Sequence, residues 1–192
     1  MFQKSLLPSC FYHIFNRGNN RGIIFTEDRN YLYFLELFRR YLISTVELYA
    51  YCLLPNHFHL LMRLKDYEEF PQGMDPKDNL SISLISFFGT YTKSFNKANS
   101  RTGKLFEGRF KRKPIYSSTQ FFQTIFYIHY NPQKHGLVAD YKNWPYSSYW
   151  SYRKCDHGDV LFKKIMEDED LVNTIVNHTE VKETYQVDFK DA

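Results

Sequence analysis

AYCLLPNHFHLLM, residues Ala50–Met62, sets out two strands and the turn between them. Val46–Leu54 is an apolar, aromatic-rich run, and Pro55-Asn56 is a turn signal. His57–Leu64 is a second such run, so the stretch predicts an antiparallel hairpin. On a strand, residues i and i+2 share a face. His57 and His59 then stand side by side, while Phe58 points the other way into a core. Two adjacent neutral imidazoles are half of a divalent-metal site. Structural histidine pairs have the same spacing, and the triplet alone does not separate the two.

Working outward, Cys10–Phe15 reads as a strand and Asn16–Gly22 as a Gly/Asn loop. Thr26-Glu27-Asp28 opens a helix, with Thr26 as the expected N-cap. Tyr31, Phe34, Leu35, Phe38, Tyr41 and Leu42 carry its apolar stripe to about Ser44. A polar loop spans Asp66–Asp78, and Asn79–Asn99 is a second helix. Leu105–Tyr116 is a basic, strand-like segment in which Glu107-Gly108 offers a hairpin turn. A helix over Thr119–Tyr130 follows a Ser117/Ser118 cap and stops around Asn131-Pro132. The order β-α-β-β-α-β-α predicts an α+β protein, with helices on one face of an antiparallel sheet in the split βαβ, ferredoxin-like plan. That plan hosts many functions, so the function must be argued from a site.

The chain has 192 residues, 43% hydrophobic and 24% charged, which excludes wholesale disorder and suits one compact domain with a tail. No apolar run approaches the roughly 20 residues that span a bilayer, so no membrane partner is expected. Three scattered cysteines without a CxxC argue against a disulfide framework or zinc knuckle and for a reducing cytoplasm. The net charge of +4 is unevenly divided. Residues 156–192 hold 10 acids against 4 lysines, net −6, which leaves +10 on residues 1–155. We expect a domain over 1–155 and an acidic, partly helical tail over 156–192. Arg101–Tyr116 holds 6 bases and 1 acid interleaved with Phe106, Phe110 and Tyr116. Basic side chains between aromatics suit a single-stranded polyanion. A solvated basic loop is the plainer alternative.

A second element strengthens the histidine pair. Tyr127 and Asn131 lie one turn apart near a helix end, on one face. An amide oxygen there can serve as a third metal ligand, with the Tyr127 phenol beside it. A positioned tyrosine can act as a covalent nucleophile, and a metal can polarise a phosphate oxygen. An ordinary core aromatic shows the same spacing, and Tyr130 is the competing nucleophile. His13 and His129 sit in apolar runs that suit core residues, and His135 lies in a turn.

These residues resemble the HUH single-tyrosine transposases, named for two histidines flanking a bulky apolar residue, as in His57-Phe58-His59. Ala50–Met62 and YHIFNRGNNRGIIF (Tyr12–Phe25) are similar to that family's motifs. YIHYNPQKHGLV (Tyr127–Val138) and NWPYSSYWSY (Asn143–Tyr152) resemble its REP-associated tyrosine transposase branch. The resemblance covers about residues 8–152 and implies a single-strand DNA endonuclease and strand transferase. Tyr127 would attack a phosphodiester to form a 5′-phosphotyrosine and release a 3′-hydroxyl. His57, His59 and Asn131 would hold Mg²⁺ or Mn²⁺. The implied substrates are hairpins in single-stranded DNA, bound by a monomer or homodimer. Asn16, Arg17, Arg21, Arg109, Lys111, Arg112 and Lys113 are the candidate DNA contacts. The alternative is a catalytically silent hairpin-binding regulator, and the intact His57, His59, Tyr127 and Asn131 favour the enzyme. An RNA-binding sheet of the RRM type has no use for the histidine pair.

Overall fold

The computed structural model describes residues 6–69 and 76–154. The acidic tail and the domain boundary before it lie outside the described residues. Four strands form one antiparallel sheet in the order β2-β3-β1-β4: β1 (Phe11–Arg17), β2 (Val46–Leu54), β3 (His57–Leu64) and β4 (Lys111–Ile115). Helices α1 (Asp28–Leu42) and α2 (Pro76–Ala98) are the two crossovers, so each βαβ connection straddles an antiparallel strand. Helices α3 (Ser118–Lys134) and α4 (Tyr149–Lys154) follow.

The alternation of β3 decides what each face carries. Phe58, Leu60, Met62 and Leu64 join Tyr12 and Ile14 of β1 in the main core, with Phe34, Leu37 and Phe38 of α1 and Leu84, Phe87 and Tyr91 of α2. Leu61 faces the other way, with Ala50, Cys52 and Leu54 of β2. The second face is therefore apolar too, chiefly through β2, and both faces must be covered. That requirement corrects the expectation of helices on one face: α3 packs Phe121, Phe122, Ile125 and Ile128 on the second. A register shift between Leu48 and Ala50 lets Val46 and Leu48 share the first face with Leu53.

Several boundaries differ from expectation. Helix α1 has Glu27, not Thr26, at its N-cap, because the Asn30 side chain organises the turn. Asn30 Oδ1 accepts from the backbone N–H of Thr26 at 2.9 Å and of Glu27 at 3.1 Å. Helix α2 begins at Pro76, three residues early, with Pro at the first helical position where its missing N–H costs nothing. Ser117 does cap α3, accepting from Gln120 N–H at 3.2 Å. That helix runs through Pro132 to Lys134, so Asn131 is helical rather than terminal. Pro132 lies in the last turn, which is closed by His135 N–H to Asn131 C=O at 3.0 Å and Leu137 N–H to Pro132 C=O at 2.9 Å. Gly136, at φ 68°, turns the chain out. The Leu105–Tyr116 segment yields a single short strand, β4, with no hairpin at Glu107-Gly108.

The two sheet edges differ. Tyr146–Ser148 covers β2, with Leu53 N–H to Tyr146 C=O at 2.9 Å and Ser148 N–H to Tyr51 C=O at 3.0 Å. Among the described residues no strand pairs with the outer side of β4, whose bases guard it. No described helix is long and apolar enough to cross a membrane.

Phe58 sits at the centre of this arrangement, fully buried, with ring centroids 5.1 Å from Phe34 and 5.6 Å from Phe88. Phe58→Ala is expected to cost about 3–5 kcal/mol of folding stability. Urea denaturation checks this, and an unchanged midpoint would show that the core does not rest on this ring.

Candidate functional site

The second face of the sheet is only partly roofed by α3, which lies over β2 and β3. A cleft of about 340 Å³ opens beside the helix, lined by Phe15, Arg17, Arg21, His57, His59, Glu107, Lys111, Tyr127, Lys134 and His135, among others. Strand parity brings His57 and His59 to this face as expected, their rings edge to face at 5.2 Å. Helix α3 brings Tyr127 over them, 5.4 Å from the ring of His59. Tyr130 points elsewhere, stacked on Phe126 at 5.4 Å and against Tyr141 at 6.0 Å.

Asn131 follows Tyr127 by one turn and is fully buried. Its Nδ2 donates to the Tyr127 carbonyl at 2.6 Å. Asn131 Oδ1 and His59 Nε2 are both buried and have no hydrogen-bond partner within the protein. Native interiors seldom leave such atoms unmatched, and each one calls for an explanation. Among the described residues no group of three or more His, Cys, Asp or Glu is placed to hold a metal. The donors available here are two imidazoles and an amide oxygen, a mixed nitrogen–oxygen set that could hold a divalent metal ion.

Burial keeps the imidazoles neutral, the form that ligates. It drives His59 well below its ordinary value, with further help from His13 and His57, and His57 down to about 4, with further help from His135, Arg17 and Lys134. His57 Nδ1 lies 2.7 Å from Asn56 Oδ1, which fixes the ring. Burial also raises the Tyr127 phenol, and the Asn131 amide partly offsets this. The Lys134 ammonium lies 5.2 Å from the centre of the Tyr127 ring. Lys134 was not singled out from the sequence, although its place seven residues after Tyr127 puts it on the same helical face.

The basic candidates separate by strand parity. Lys111 lines the cleft and Lys113 shares its face of the sheet, their ammoniums 5.9 and 5.8 Å from the ring of Phe15. Arg112 points to the opposite face, beside Tyr12, and Arg109 lies exposed in the loop before β4. Arg17 is engaged by Glu107, with its Nη2 2.8 Å from Oε1. Asn16 holds the same loop, donating to Gly108 C=O at 3.1 Å. Arg21 lines the cleft from a left-handed backbone conformation, φ 58°. That loop is tight: a Cβ on Gly18 would meet the Gly22 carbonyl oxygen at 1.9 Å.

Two further histidines take different places. His129 is buried away from the cleft, with Nε2 2.8 Å from Ser148 Oγ, and clips the C-terminal segment to α3. His13 belongs to the site. Its Nε2 lies 2.9 Å from His59 Nδ1.

The cleft therefore joins a four-stranded antiparallel sheet, paired histidines beneath a helical tyrosine, and a basic rim. No family model matches the chain. A Haemophilus influenzae protein described as a REP-associated tyrosine transposase is 30% identical over 131 residues, covering 64% of this chain. That match spans 65% of the relative's own length, just under two thirds. A solved structure of a REP-associated tyrosine transposase bound to a REP hairpin superimposes with a TM-score of 0.58 at 19% identity, over 80% of this chain and 84% of that one. The chain is thus similar in sequence to a REP-associated tyrosine transposase and shares its fold with another.

Proposed function

We propose that the protein cleaves and rejoins single-stranded DNA at hairpin-forming sequences, with Tyr127 as nucleophile and His57, His59 and Asn131 as ligands of a divalent metal ion. The observation that carries this reading is the pair of buried polar atoms without a hydrogen-bond partner, His59 Nε2 and Asn131 Oδ1, next to the tyrosine. The solved neighbour's REP hairpin supports a DNA hairpin as the partner.

In the forward step, Tyr127 Oη bonds to phosphorus and the bond from phosphorus to O3′ breaks. The phenol proton ends on the departing 3′-hydroxyl. One phosphate ester replaces another, so the reverse attack by a 3′-hydroxyl rejoins DNA without a nucleotide cofactor. A divalent ion held by His57, His59 and Asn131 would supply Lewis-acid stabilisation of the charge that builds on the phosphate. Lys134 adds positive charge over the tyrosine, and Lys111, Lys113 and Phe15 give the strand a basic and aromatic track. The direct test is incubation with Mn²⁺ and single-stranded hairpin oligonucleotides labelled at either end. A covalent adduct at the 5′ end of the downstream fragment, which carries the 3′ label, supports the reading. Hairpin binding with no cleavage on any substrate would instead leave a DNA-binding regulator.

Strand parity makes the track testable. Replacing both Lys111 and Lys113 by alanine is expected to flatten the salt dependence of single-strand binding by about 1.4 log units per log unit of salt, at about 0.7 for each phosphate. Arg112→Ala, on the other face, leaves the slope unchanged. Fluorescence anisotropy across a salt series measures both. Equal slopes in wild type and the double variant would move the phosphate track away from β4.

A further inference from the structure

His13 and His59 are 46 residues apart in the chain, yet the antiparallel register of β1 and β3 makes them diagonal neighbours on the cleft face. Their rings stack with centroids 5.1 Å apart, and Nε2 of His13 lies 2.9 Å from Nδ1 of His59. Both rings are buried, at 5% and 2% exposure. Phe15 lies 4.9 Å from the His13 ring and Tyr127 5.8 Å, so the ring has little freedom to turn.

A neutral imidazole carries one N–H and one lone pair. One proton bridges the two rings, and its owner decides the state of the far nitrogen of His59. If His13 Nε2 carries it, His59 must bear its own hydrogen on Nε2, which then becomes a buried donor with no partner. If His59 Nδ1 carries it, Nε2 is a lone pair facing outward from the bridge, the form that a cation takes.

We propose that His13 is a positioning residue whose Nε2 accepts the Nδ1–H of His59 and so fixes the tautomer that presents the His59 Nε2 lone pair to the metal. The inference rests on the metal reading given under Proposed function. His13 is 5% exposed and acts through its neighbour, as outer-sphere partners of metal-bound histidines do.

Two substitutions and two measurements on the DNA-free protein test it. His13→Gln keeps an amide oxygen that can accept the hydrogen bond, and His13→Leu removes it. Long-range ¹H–¹⁵N spectra of the metal-free protein report which nitrogen of His59 is protonated. Electron paramagnetic resonance titration reports Mn²⁺ affinity. The expected result is Nδ1–H in wild type and in His13→Gln. His13→Leu loses that single tautomer and binds Mn²⁺ about 10- to 100-fold more weakly. A His59 protonated on Nε2 in wild type, or an unchanged tautomer and Mn²⁺ affinity in His13→Leu, overturns the proposal. Wild type that shows Nδ1–H but takes up no Mn²⁺ removes the metal reading and leaves the assigned hydrogen bond standing. Should His13→Leu fail to fold, the wild-type spectrum and His13→Gln still decide the matter.

Discussion

Tyr127→Phe is expected to abolish the covalent protein–DNA adduct and lower single-strand cleavage on the order of 10⁴-fold or more, the scale of losing a covalent nucleophile. Binding of the same hairpin survives. The separation follows from the surroundings of the ring. Tyr127 is 7% exposed and is held edge to face by His59 at 5.4 Å and His13 at 5.8 Å, with Lys134 across its face. Phenylalanine keeps every one of those ring contacts and loses only the oxygen. Tyr130→Phe serves as the paired control, because its ring packs on Phe126 and Tyr141 away from the histidines. Denaturing gel electrophoresis of end-labelled hairpins reads adduct and cleavage together. An adduct that persists in Tyr127→Phe and disappears in Tyr130→Phe would reverse the assignment.

The features legible in the sequence are those with a local period. Alternation along β3 put His57 and His59 on one face and Phe58 on the other, and the structure has them so. Helical spacing joined Tyr127 to Asn131. The strand order and the second helical layer had weaker signals. Leu61 joins Ala50, Cys52 and Leu54 on a second apolar face, which in hindsight demands cover on both, but alternation in short runs does not say which helix supplies it. Pro132 reads as a stop, yet near the end of α3 a proline removes one donor and the turn beyond it closes with other bonds.

Contacts set by long-range register left no local trace. His13 looks like a core histidine until β1 is laid beside β3 with Phe15 opposite His59. Composition likewise treats Lys111, Arg112 and Lys113 as one basic cluster. The pleat divides them, two on the cleft's face of the sheet and one away. A charge count sees the segment, and only the fold sees its faces.

His59→Ala is expected to act most strongly on metal binding, His57→Ala next and Asn131→Ala least. The order follows from how firmly each donor is held and how strong it is. His59 is 2% exposed, tied through Nδ1 to His13, and offers an Nε2 with no partner in the protein. His57 is less buried, with one nitrogen beside Asn56 and its ring 4.9 Å from that of His135, so a nearby imidazole can partly stand in for it. Asn131 contributes an amide oxygen, a neutral and weaker donor, although its burial means that water does not simply replace it. Each histidine change should cost Mn²⁺ affinity beyond the roughly 10–100-fold typical of losing an outer-sphere partner. Cleavage should fall with it, and EDTA should abolish cleavage in wild type. Calorimetric titration with Mn²⁺, run beside the cleavage assay, separates loss of metal from loss of fold, since Phe58 and the main core lie on the other side of the sheet. Full cleavage in EDTA would take the ion out of the reaction. Lys134 and the basic rim would then have to meet the charge on the phosphate unaided, and His59 Nε2 and Asn131 Oδ1 would need another partner to justify their burial.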